Sequence, residues 1–86
     1  MYNYEDLKKE LFTDQGQRMF LQIRDRVNVL LKDAGAVRLQ EAISKTTGDS
    51  WTMLACIDRM VELGELKEIT GSAVPAQYRV FVKASS

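Results

Sequence analysis

Two pairs of carboxylates are the first residues in this chain whose types and spacing could do chemistry: Asp58 with Glu62, and Glu65 with Glu68. Asp58 and Glu62, four residues apart, share one face of a helix. Paired carboxylates do general acid–base work when a cleft holds them and drives their pKa values apart. A chain of 86 residues has little material for such a cleft, so these pairs read as solvated charges. The single cysteine, Cys56, has no second sulfur for a disulfide or a zinc site. Its helical phase points inward, as for a small core residue rather than a reactive thiol. Histidine is absent, which removes the commonest general base and nitrogen ligand. The stretch "TTGDS", residues 46–50, puts hydroxyls and a glycine before a helix start, as a phosphate loop does. It lacks the glycine-rich length and the lysine of a Walker loop, and reads as a turn with its cap. Tyr2, Tyr4, Phe20, Tyr78 and Phe81 show no regular spacing for stacking single-stranded bases. No enzyme activity, no cofactor and no metal are expected.

Composition narrows the field further. One domain of this length can bury one modest core. Hydrophobic residues make up 45% of the chain and charged residues 28%, which excludes a disordered chain. Twelve basic residues balance 12 acidic ones, so there is no broad basic footprint for non-specific nucleic-acid binding. No apolar run approaches the roughly 20 residues of a membrane span, and "MYNYEDLKKEL" carries no apolar signal core. The expectation is a cytoplasmic protein with no membrane partner.

The elements that must position these residues follow from periodicity. Asn3 can cap a short amphipathic helix, residues 3–12, with Tyr4, Leu7 and Leu11 on one face. Asp14, with Gln17 three residues on, suits the cap of a second helix over residues 14–33. Met19, Phe20, Ile23, Val27, Leu30 and Leu31 line its apolar face, and Gly35 ends it. Residues 36–38 can form a very short strand. Leu39, Ala42 and Ile43 mark a short helix over residues 39–46. Asp49 or Ser50 caps a third main helix, residues 51–63, which Gly64 ends. Residues 66–70 and 78–83 then read as paired strands, rich in β-branched and aromatic side chains. Pro75 keeps the stretch between them in a loop. The expected core is Ile23, Leu30, Leu39, Ile43, Ile57, Met60 and Leu63.

The stretch "GAVRLQEAISKTTGDSWTMLACIDRMVELGELKEI" resembles the core of a winged helix-turn-helix domain. Met60, Leu63, Gly64 and Leu66 stand in the family's pattern at the end of its second helix-turn-helix helix, and "LKEITGSAVPAQYRVFVK" stands where the wing hairpin belongs. The resemblance covers roughly residues 19–83. It implies an α+β fold: a small winged helix-turn-helix domain with a three-helix core, a C-terminal two-stranded β-hairpin wing and an extra short N-terminal helix. Residues 1–13 would be the helical extension and residues 14–86 the winged-helix domain.

Helical phase sorts the two faces of residues 51–63. At roughly 100° per residue, Met53, Cys56, Ile57, Met60, Leu63 and Gly64 fall together on the core side. Trp51, Ala55, Asp58 and Glu62 fall opposite, flanked by Thr52 and Arg59. In the family this outward face lies in the major groove. Arg59 is its only strong phosphate or guanine ligand, and Asp58 and Glu62 repel the backbone. Arg38, Gln40 and Lys45 around the preceding helix, Thr52, and Arg79 on the last strand complete the candidate DNA contacts. Two readings stand side by side. One is a small DNA-associated transcriptional regulator of weak intrinsic affinity, working as a homodimer on double-stranded DNA. The other is a protein-interaction module that does not bind DNA. That module would present Trp51, Leu54, Ala55, Asp58 and Glu62 to a partner or to a second copy.

Overall fold

Thr13 sets the start of the longest helix, and with it the frame of the molecule. In the computed structural model, which describes residues 2–71 and 74–84, the Thr13 hydroxyl accepts from the Gly16 amide at 3.0 Å. It thereby satisfies a donor that the first helical turn leaves orphaned. The cap is therefore Thr13 rather than Asp14. Asp14 is the first residue of helix α2 (Asp14–Ala34), where a negative charge suits the helix dipole. Gln17 does not close a capping box. Its amide nitrogen donates instead to the Leu11 carbonyl at 2.9 Å, tying the preceding segment to the helix.

That preceding segment is one short α-helical turn, α1 (Tyr4–Leu7), capped by Asn3, followed by a 3-10 stretch over Lys8–Phe12. Leu11 is buried in the main core. The chain comes so close to α2 here that a Cβ at Gly16 would collide with the Glu10 carbonyl oxygen. At the other end of α2, Gly35 adopts φ 79° and terminates the helix in the left-handed region.

Strand β1 (Val37–Arg38) leads directly into α3 (Leu39–Ile43), which stops three residues short of the expected 46. A turn in which the Thr46 amide donates to the Ile43 carbonyl takes over. Asp49 caps α4 (Ser50–Glu62), accepting from the Thr52 amide at 3.1 Å. Gly64, at φ 77°, reverses the chain into β2 (Leu66–Glu68). A 3-10 turn over Ala76–Tyr78 precedes β3 (Val80–Lys83), so Tyr78 lies outside the strand that was expected to begin with it.

The fold is α+β, as expected, with one correction to the sheet. It is a three-stranded antiparallel sheet in the order β1-β3-β2 rather than a two-stranded hairpin. Val37 pairs with Phe81 and Arg38 with Val80 on one side of β3. On the other side Leu66 pairs with Lys83, Lys67 with Val82 and Glu68 with Phe81. Val37, Leu66 and Phe81 face the helices and are buried.

Ile23 and Val27 of α2 meet Ile57, Cys56 and Met60 of α4 in the same core, with Leu39 from α3. Leu30 and Ile43 pack at its margin and are half-buried. Leu63 departs from expectation: it is 46% exposed. Leu63 is still helical in its backbone, its amide donating to the Arg59 carbonyl at 2.9 Å, but it stands at the very end of the helix, and Leu66 reaches the core in its place. Among the described residues, no helix is long and apolar enough to cross a membrane.

Candidate interaction surfaces around helix α4

The outward face of α4 is not open. The N-terminal segment, residues 2–12, lies across it as a strap. Ala55, expected in solvent on this face, is fully buried, and the strap bonds to both acids of the face, Asp58 and Glu62. The Tyr2 hydroxyl donates to Asp58. The Tyr4 hydroxyl donates to Glu62 at 2.9 Å, and the Lys8 ammonium reaches the other oxygen of the same carboxylate at 2.9 Å. Arg59 pairs with Glu62 at 2.6 Å and lies over the Phe12 ring, 5.4 Å from its centre.

Asp58 has a second partner beneath the strap. The Arg79 guanidinium donates to Asp58 Oδ1 at 2.8 Å and grips Glu68 with two bonds, at 2.8 and 3.0 Å. Its plane lies 5.0 Å from the centre of the Phe81 ring. Thr70 donates to the remaining side of Glu68 at 2.7 Å. Forked, planar geometry of this kind suits arginine and no other cation. Arg79 and Asp58 retain only 17% and 18% of their side-chain exposure, so this network is partly desolvated.

The titration behaviour of these groups follows from the contacts. Burial works against the Arg79 charge, but its bonds to Glu68 and Asp58 outweigh it and its pKa is raised. The bond from Arg79 holds the Glu68 carboxyl below its ordinary range. Lys8, then Arg59 and Tyr4, draw Glu62 down to about 2. Burial and the bond to Asp58 raise Tyr2, and burial and the bond to Glu62 raise Tyr4 to about 12. Burial pushes the Cys56 thiol up to about 12, as for a packed core sulfur rather than a nucleophile.

Against this geometry the sequence-derived residues fall into three groups. Arg59, Arg79, Asp58 and Glu62 are brought together, but they neutralise one another. Thr52 is spent on its own helix cap: its hydroxyl donates to Asp49 at 2.8 Å. Leu54 is half-buried against the core. Arg38, Gln40 and Lys45 are exposed, and no ion pair engages Arg38 or Lys45 among the described residues. Trp51 stands alone at the start of α4, 46% exposed.

The residues that sequence reading missed are Tyr2, Tyr4, Lys8 and Phe12 as partners of α4, and Glu68 as the partner of Arg79. Each bond from Tyr2, Tyr4 and Lys8 to α4 spans more than fifty positions in the chain. Helical periodicity carries no information at that range. The only trace in the sequence is the complementarity between an acid pair on α4 and hydroxyl and ammonium donors at the start of the chain.

An open groove of about 430 Å³ runs between the starts of α2 and α4, lined among others by Glu10, Gln15, Arg18, Thr47 and Asp49. The hydroxyl–carboxylate contact in this lining, Thr52 to Asp49, belongs to the cap of α4. Among the described residues no group of three His, Cys, Asp or Glu side chains is placed to hold a metal. No protein-family model, no curated protein and no solved structure matches this chain.

Proposed function

We propose that the chain is a winged-helix module that binds a protein rather than reading duplex DNA with α4. The order of α2, β1, α3, α4, β2 and β3, with β3 between the other two strands, supports the winged-helix reading. In that arrangement α4 is the helix that would enter the major groove.

One observation carries the functional half. The outer face of α4 is occupied by the chain's own N-terminal segment, and the two arginines nearest it are both committed to carboxylates. On this strapped helix Arg59 and Thr52 are already engaged, by Glu62 and Asp49. Freeing Arg79 for phosphate would leave Asp58 and Glu68 without their cation in a partly desolvated setting. A second reading, weak contact with the DNA backbone through Arg38, Gln40 and Lys45, draws on the exposure of those three residues. It needs no contribution from α4.

The test is titration of the full chain with a random-sequence duplex, followed by fluorescence anisotropy across a salt series. Phosphate contacts steepen the salt dependence by about 0.9 per phosphate. The expected result is no saturable binding at physiological salt, both for the natural chain and for D58N/E62Q. Tight binding with a steep slope sinks the proposal. So does a clear gain of affinity in D58N/E62Q, which would show that the acids had been repelling DNA at that face.

A further inference from the structure

The face of the sheet turned away from the helices combines β-branched residues with two cations. Strand alternation sorts the side chains. Val37, Leu66 and Phe81 point inward and are buried. Their neighbours Arg38, Lys67, Val80 and Val82, together with Ile69, point outward.

The register places these residues in two rows. Arg38 lies beside Val80, and Ile69 lies on the other flank of Val80, its amide donating to the Val80 carbonyl at 2.9 Å. Lys67 lies beside Val82. The result is a valine–isoleucine strip with one cation at each of two opposite corners. Ile69 is 57% exposed. These five outward positions include no acid, although acids and bases balance over the whole chain. Neither Arg38 nor Lys67 forms an ion pair among the described residues, in contrast to Arg59 and Arg79, which are paired with carboxylates.

From this we infer that the outer sheet face is a docking surface for an extended acidic peptide with an apolar residue between its acids; the inference deepens the protein-module reading above and rests on it. The spacing sets the pattern. Arg38 and Lys67 are separated by two strand spacings and one two-residue step, roughly 12 Å corner to corner. An extended peptide spans about 13 Å over four residues and returns side chains to one face every second residue. Acids at positions i and i+4 therefore meet the two cations, while the residue at i+2 lies on Val80 and Val82. Duplex DNA matches the cations but not the apolar strip between them, because phosphate gains nothing from valine or isoleucine.

The experiment uses the full ¹⁵N-labelled chain and a synthetic peptide, acetyl-Ser-Glu-Ser-Val-Ser-Glu-Ser-amide. Amide shifts should move saturably at Arg38, Lys67, Ile69, Val80 and Val82, with a Kd of about 1 mM or tighter. The double variant R38E/K67E should weaken this binding about tenfold or more, and should prefer the same peptide with lysine in place of glutamate. Because Arg38, Lys67 and Ile69 are exposed, R38E/K67E and Ile69→Ser should keep the natural melting profile, and Ile69→Ser should also weaken binding. The surface is overturned by an absence of saturable shifts, by shifts confined to α4, by equal binding of the lysine peptide, or by an unchanged Kd in both variants. Shifts at these five residues with a random-sequence duplex, and not with the glutamate peptide, overturn it in favour of nucleic acid. If neither peptide nor duplex binds, only this surface is lost. If the duplex binds through α4, the protein-module reading is lost as well.

Discussion

Arg79 and Arg38 flank neighbouring positions of the same small sheet, yet they have opposite fates. Arg79 immediately precedes β3 and lies on the side of Phe81, over its ring and under the strap, where Asp58 and Glu68 hold it. Arg38 lies opposite the very next residue, Val80, on the other side of the sheet, with no carboxylate in reach among the described residues. A strand turns every second side chain to the other face. A shift of one residue therefore decides whether a charge is neutralised inside the fold or offered to a partner. Counting cations in the sequence cannot tell these two states apart.

The largest expected effect separates the inward and outward side chains of β3 and its neighbour. Phe81 is fully buried, while Ile69 is 57% exposed on the other face. Phe81→Ala should cost roughly 3–5 kcal/mol, because the surrounding core cannot collapse fully into the space. Ile69→Ala should change stability by no more than about 0.5 kcal/mol, as surface changes usually do. Urea melts of the two variants check this. Comparable losses would mean that the sheet is turned or its register shifted by one residue.

The arginines give the next largest contrast. Arg79→Met keeps much of the side-chain volume but leaves Asp58 and Glu68 facing each other without their cation, in a site where Asp58 is only 18% exposed. Losing charge-assisted bonds in that partly buried setting should destabilise the fold by about 1–3 kcal/mol. Arg38→Met should be nearly silent in the same denaturant melts. If Arg79→Met is equally silent, water screens the network and Arg79 is as available to a partner as Arg38.

How much of this was legible in the sequence depends on the range over which the residues act. Helices α2 and α4 came from local apolar periodicity and from local stop residues such as Gly35 and Gly64. The inner phase of α4 placed Met53, Cys56, Ile57 and Met60 in the core, where they lie. Leu63 broke the pattern because phase gives the direction of a side chain but not whether the core still lies beside the last turn, and Leu66 fills the core there instead. The third strand was named as possible from residues 36–38. Its pairing with β3 needed knowledge of the tertiary fold, since two residues carry too little pattern to choose a partner. The phase that was expected to turn Ala55, Asp58 and Glu62 to solvent did not leave them free: Ala55 is buried and the strap bonds to both acids. Angle says which way a side chain leaves the helix, and nothing about what another part of the chain lays over it. The cap at Thr13 was missed because Thr13 and Asp14 are both good caps, and only backbone geometry separates them.

The smallest expected effect is a pH dependence confined to the strap, and its sign can be worked out at both ends of the scale. The Tyr4 hydroxyl is raised from 10.0 to about 12, and Tyr2 is raised too, because burial and a carboxylate acceptor both disfavour the phenolate. For a group whose folded pKa is raised, the folded chain holds its proton more tightly than the unfolded chain. The stability it adds is complete below pH 10 and is lost as pH rises towards 12 and beyond. Glu62 runs the other way: it is drawn from 4.5 to about 2. Its contribution is complete above the ordinary carboxylate range and is lost as pH falls from about 4.5 towards 2. The strap should therefore loosen at both extremes, while Leu11 keeps its inner end anchored in the core. The measurement is a pH series of denaturant melts paired with tyrosine absorbance. The natural chain should lose stability between pH 10 and 12 more steeply than Y2F/Y4F, which has no strap hydroxyls to ionise. At acid pH, Lys8→Gln and Y2F/Y4F should flatten the fall, since both remove donors that hold Glu62 ionised. Because these contacts are largely at the surface, the changes should be small beside those of Phe81 and Arg79. Curves that superimpose for all three chains at both ends would mean that the strap is held over α4 by Leu11 and its apolar neighbours alone, with the hydroxyl–carboxylate bonds contributing nothing to the closure.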